Sequence, residues 1–191
     1  MEKFEILVLK VADLSRCLEN LSALYLSVIN IIDKEHEQIR LSNLDEIEKL
    51  TAEKNELGSS VSEACDTLFK HFELVRDLSR SSLGLSSEVE NIHSLTESLD
   101  SIDEKEFEVY DFKVLTHEVK KLKEAYQSFS KRKSEYQPKI EMNRYLIGRL
   151  LNHHQETFRF WQGIAAEAEA TYGSKGVTRN QVNKSTLRVR T

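Results

Sequence analysis

Proline and glycine are scarce in this chain, with one Pro and six Gly in 191 residues. Strands need turn residues at short intervals, so that scarcity argues against a β protein. Cysteine is equally sparse. Cys17 and Cys65 lack the spacing of a zinc or redox pair and fall at apolar-periodic positions, where two small buried hydrophobes in a reducing compartment are expected. No apolar run approaches the ~20 residues that span a bilayer. The opening "MEKFEILVLKVADLSRC" has acids on both sides of its short apolar stretch, unlike a secretory signal. The expectation is a cytoplasmic protein with no membrane span.

What is present is charge and helical periodicity. A composition of 31% charged and 39% apolar residues resembles that of long helices. The fold class expected is all-α, an elongated antiparallel bundle or helical hairpin with coiled-coil-like helices. From Leu7 the apolar residues fall at Val11, Leu14, Leu18, Leu21, Tyr25, Val28 and Ile32, in alternating steps of four and three. Cys17, Leu24 and Ile31 form a second stripe, wide enough for several neighbours. This first helix is expected over 4–40.

"RLSNLDEIEKL" supplies a break and a new start. Ser42 or Asn43 can cap, and Asp45, Glu46 and Glu48 suit the positive end of a helix dipole. The second helix, over 43–80, carries a seam interrupted only by Lys54, whose stem can lie along the groove with its ammonium in water. A short connection between helices of similar length implies an antiparallel pair. A short third helix is expected over 87–99.

From 111 to 172 one long pattern resumes. Continuous, its 62 residues would span roughly 93 Å, against roughly 55 Å for the first helix. Pro138 offers a break, since an interior proline removes a backbone donor. The segment 139–172 would then complete a three-helix core, leaving the segment before it to be covered by the third helix or offered to another chain. The domain organisation is a bundle over 1–172 followed by a basic tail over 173–191.

That tail contains five Lys or Arg and no acid, leaving 22 basic and 32 acidic residues before it, a net charge of −10. Its sparse hydrophobes, Val177, Val182, Leu187 and Val189, cannot bury enough surface to fold alone. It reads as a flexible segment that folds against a partner or against the acidic body, or that serves only as a solubilising end.

No catalytic constellation is visible. The six His are scattered, "KEHEQ" is not a two-His zinc arrangement, and adjacent His153 and His154 point about 100° apart on a helix. His71 and His117 lack the small glycine one turn later that a phosphotransfer histidine requires. The expectation is no enzyme, no metal and no cofactor. Nucleic-acid binding would need a basic body or aromatics within the tail, and neither is present.

Particular residues resemble the FlgN-type flagellar export chaperones. "LDEIEKLTAEKNELGSSV" is similar to that family's second-helix start, with Lys54 followed by Leu57. "NRYLIGRLLNHHQETFRFW" resembles its late signature through Asn143, Leu146 and Ile147, and "TYGSKG" its closing Tyr172 and Gly176. The resemblance implies a type III secretion chaperone. Such a protein binds the carboxyl-terminal helices of hook-filament junction proteins, prevents their premature assembly and delivers them to the export gate or export ATPase. It places binding in the carboxyl-terminal part of the chain, in the helix-in-groove mode.

The candidate partner face comprises Leu146, Leu150, Phe158, Trp161 and Ala165, extended by Asn143 and Ile147, by Tyr172 and Gly176, and by the tail's Val177, Val182 and Leu187. Leu150 and Ile147 also read as core. Phe158, Phe160 and Trp161 divide between core and surface, because three aromatics within four residues cannot share one groove. A monomer or weak dimer is expected. The rival reading is a homodimeric adaptor or structural bundle that pairs through its long helices.

Overall fold

The computed structural model describes residues 2–85, 89–102 and 109–172. Among the described residues the fold is all-α, with four helices: α1 (Glu2–Arg40), α2 (Leu44–Leu83), α3 (Ile92–Asp100) and α4 (Val109–Tyr172). The chain divides into two units, Met1–Arg144 and Tyr145–Thr191.

The turn between α1 and α2 is specified by three residues. Ser42 adopts a left-handed conformation at φ 54. Its N–H bonds Ile39 C=O, and the Asn43 N–H bonds Gln38 C=O, both at 3.1 Å. These two bonds satisfy carbonyls that a helix end would otherwise leave open. Asn43 then opens the next helix, its side-chain oxygen accepting from the Glu46 N–H. Gly84, also left-handed, closes α2 with its N–H on Arg80 C=O. The third helix begins at Ile92, later than the expected 87, because the Asn91 and Ser94 side chains each cap the other's backbone N–H. Val89 is buried ahead of that cap, outside any helix.

Within the first unit, contacts between α1 and α4 rise together in number. Ser22 lies against Ser128, and Tyr25 packs edge-on against Phe129 and Tyr136 at 5.7 and 5.0 Å. Further along, Asp33 pairs with Lys139 and Glu35 with Asn143. The two helices therefore run parallel, while α2 returns antiparallel to both, as the short α1–α2 turn requires. The main core joins Leu7, Leu14 and Leu18 of α1 with Phe72 and Val75 of α2, Leu95 and Leu99 of α3, and Leu115, Val119 and Leu122 of α4. Nearer the α1–α2 turn, Val28, Ile31, Ile32, Ile47 and Leu50 are also buried.

The expectation that Pro138 breaks the last helix, and that 139–172 completes the core, is corrected here. The helix is continuous through Pro138. Both Pro138 and Ser134, whose carbonyl loses its donor, are exposed, so water can satisfy that oxygen. Tyr136, Ile140 and Asn143 hold the helix against the bundle on either side of the proline. The core segment is 115–143, covered in part by α3, whereas every residue from 151 to 168 is exposed.

Two leucines of α4 test this division. Leu122 is 0% exposed and Leu151 is 54% exposed. Leu122→Ala should cost about 2–5 kcal/mol of stability, because it empties a filled core position. Leu151→Ala should stay within about 0.5 kcal/mol of the parent. Chemical denaturation of the two variants measures both.

Candidate functional site: a buried ion pair and an exposed helical face

The most unusual group inside the first unit is Glu35, whose side chain is 0% exposed. It occupies the position after Ile32 in the α1 seam, so the helix itself turns the carboxylate inward. Three side chains donate to it: Lys54 Nζ reaches Oε1 at 2.7 Å, Thr51 Oγ1 reaches Oε1 at 2.9 Å, and Asn143 Nδ2 reaches Oε2 at 2.5 Å. Lys54 also bonds Oε2, and its side chain is only 14% exposed.

The expectation that the Lys54 ammonium stays in water is therefore corrected. A carboxylate at the next seam position of α1 draws the ammonium inward. Asn143, expected on the partner face, is buried in the same network. Its amide is committed to Glu35, which removes it from a surface role. The Asn143 Oδ1 is buried with no hydrogen-bond partner among the described residues.

The sequence contained a signal for this cluster. Continuing the α1 seam by its own alternation lands on Glu35, the α2 seam is interrupted at Lys54, and the α4 seam holds Asn143. Three long helices each place one polar residue where an apolar one is due. Polar groups in a bundle interior are costly unless they meet. Here they meet.

The second candidate lies on α4 within Tyr145–Thr191. Leu146, Ile147 and Leu150 are half-buried, and Ala165 is exposed. Phe158 is 64% and Trp161 60% exposed, with Leu151, Phe160 and Ile164 exposed as well. At about 100° per residue, Ile147, Leu150, Leu151, Phe158, Trp161 and Ala165 share one stripe, while Phe160 points well away from its centre. Phe160 and Trp161 still touch edge to face, with ring centroids 5.7 Å apart. At the start of this unit, Arg149 lies over the Tyr145 ring and donates to its hydroxyl at 3.3 Å.

Of the remaining expected residues, Tyr172 ends α4. Gly176, Val177, Val182 and Leu187 lie outside the described residues, as does the whole 173–191 tail.

The cysteines differ from expectation. Cys65 is exposed and Cys17 half-buried. Partial desolvation raises both thiols above their ordinary range, with Asp66 adding to the effect at Cys65 and Asp13 at Cys17. The cause is their place at the margins of helix contacts: the stripe beside the α1 seam is less deeply covered than the seam. Among the described residues no group of three or more His, Cys, Asp or Glu is placed to hold a metal ion, and no helix is long and apolar enough to cross a membrane.

No protein-family model matches the chain, and comparison with curated proteins and with solved structures finds no match.

Proposed function

We propose that this chain is a cytoplasmic export chaperone of the flagellar type III system. In this reading it holds the carboxyl-terminal helices of hook-filament junction proteins on the exposed stripe of α4 and passes them to the export gate or export ATPase. The observation that carries the reading is the run from 151 to 168, helical yet exposed at every position, with Phe158, Trp161 and Leu151 on one side. An uncovered aromatic stripe of this kind is what an amphipathic partner helix occupies in helix-in-groove recognition. Of the residues resembling the FlgN-type family, the run Asn143 through Trp161 begins at the buried network and continues through this stripe.

In this reading the last helix divides its labour at Asn143. Asn143 belongs to the bundle, where Glu35 holds it. The residues after it supply the partner surface. The rival homodimeric adaptor would pair through residues 111–136, yet Leu115, Val119 and Leu122 of that segment are already packed with Leu14, Leu18, Leu95 and Leu99 within one chain.

Two measurements test the reading. Co-purification from a flagellated bacterial lysate, read by mass spectrometry, should recover hook-filament junction proteins. Light scattering on the purified chain should give a monomer or weak dimer. A tight dimer that recovers no flagellar protein would replace the chaperone reading with the adaptor.

A further inference from the structure

Among the described residues, the first unit carries a second uncovered apolar surface. Between α2 and α4 lies an open groove of 420 Å³. Leu21 and Tyr25 of α1 form its floor, Phe69 and Phe129 stand on opposite walls, and Ile92 closes one end at the start of α3. Phe69 is exposed on its rim.

What fits such a groove is indicated by its neighbour. One step along the same α2–α4 slot, α3 is already docked, burying Leu95 and Leu99, an i, i+4 pair, against Phe72, Leu122 and the rest of the core. It runs antiparallel to α4, with His93 stacked on Tyr126 and Asp100 paired to Lys123 at 3.1 Å. Nine residues with two apolar anchors and one carboxylate facing a lysine are enough to cover that part of the slot. The groove continues the same interface with the corresponding parts open. It offers apolar walls, Lys133 on the α4 side and Glu90 beside the α3 entry. Among the described residues neither Lys133 nor Glu90 is held in an ion pair.

We propose that this groove is a docking site for an amphipathic helical segment of a partner protein, lying in the slot as α3 does. The occupant inserts apolar side chains at i and i+4 between Phe69 and Phe129. Running in the direction of α3, it presents an acidic first turn to Lys133 and a basic last turn to Glu90. That polarity also matches the helix dipole, which favours acids at the first turn and bases at the last. The site is separate from the stripe on α4 and does not depend on the chaperone reading.

The test uses a stapled three-turn peptide with leucines at i, i+3, i+4 and i+7, glutamates in the first turn and lysines in the last, beside its charge-reversed counterpart. Binding to the full chain is followed by fluorescence anisotropy. The first peptide should bind the more tightly. Phe69→Ser, at an exposed position where the fold has little to lose, should weaken it about tenfold, as loss of an interface aromatic does. Lys133→Glu should shift the preference toward the charge-reversed peptide. Phe69→Ser should weaken binding by the same factor in a Trp161→Ala background, which separates this site from the α4 stripe. Absence of binding, binding indifferent to Phe69→Ser and Lys133→Glu, or a Phe69→Ser effect that vanishes in the Trp161→Ala background would each overturn the proposal.

Discussion

Lys54→Ala should destabilise the bundle by about 3–5 kcal/mol, the cost of leaving a buried charge without its partner. The Glu35 carboxylate has no exposure of its own. Thr51 and Asn143 would remain as its donors, and neither carries charge. Glu35→Ala should cost less, because the Lys54 ammonium sits on a flexible stem, retains some exposure and can swing toward water. Replacing both, as Glu35→Leu with Lys54→Met, should restore only part of the loss: apolar residues of similar volume pack in place of the pair without desolvating a charge, but the buried Asn143 amide loses its acceptor. Urea unfolding of the parent, Glu35→Leu, Lys54→Met and the double variant completes a double-mutant cycle, and the coupling should exceed the ~0.5 kcal/mol seen between independent sites. The result should be nearly the same at low and high salt, because a buried pair is little screened. A Lys54→Ala protein as stable as the parent would show that Glu35 is not held as a buried carboxylate.

The physical consequence of the pair is registry. An apolar seam of leucines and valines can slide by a turn with modest loss, but Glu35 reaches Lys54 and Asn143 in only one alignment of α1, α2 and α4. A buried polar contact that fixes alignment at some expense in stability is a known device in coiled coils. Here it lies at Asn143, the last buried position among the described side chains of α4, just before the first unit ends at Arg144. The Glu35→Leu, Lys54→Met double variant therefore also tests specificity: it can stay folded while losing a single alignment.

Much of this fold was legible because the apolar alternation runs unbroken from Leu7 to Ile32, and because a three-residue turn leaves two long helices no alternative to an antiparallel pair. A cap at Ser42 or Asn43 was equally readable from side-chain chemistry, and Asn43 is the one that fills it. The division of α4 was not. Its apolar pattern continues through Ile147, Leu150, Trp161 and Ile164 with the same spacing that Leu115, Val119 and Leu122 show, and spacing alone does not say whether a stripe has a neighbour. Pro138 suggested a boundary, but an exposed proline with packed residues on both sides does not end a helix. The polar core was missed for the opposite reason. Glu35, Lys54 and Asn143 each look like a local defect, and only the three seams taken together show that the defects coincide.

Trp161→Ala should lower affinity for a carboxyl-terminal helix of a hook-filament junction protein by more than ~2 kcal/mol, roughly 30-fold, if the α4 stripe is the binding face. Its stability should stay within about 0.5 kcal/mol of the parent, because a side chain 60% exposed leaves no cavity when truncated. Phe158→Ala, on the same stripe, should act in the same direction. Phe160→Ala should act more weakly, since that ring points well away from the stripe's centre and meets it only through its edge contact with Trp161. Calorimetric titration gives the affinities and thermal melts the stabilities. Burial of these rings should make binding nearly independent of ionic strength, whereas a contribution from the five basic residues of 173–191 would fade as the screening length contracts to ~8 Å near physiological salt. The pattern across the three aromatics is more informative than any one value. Equal losses at Phe158, Phe160 and Trp161 would mean general loss of apolar surface, and unchanged affinity in all three would remove the stripe as the partner site. A drop concentrated at Phe158 and Trp161 requires one helix lying along one face.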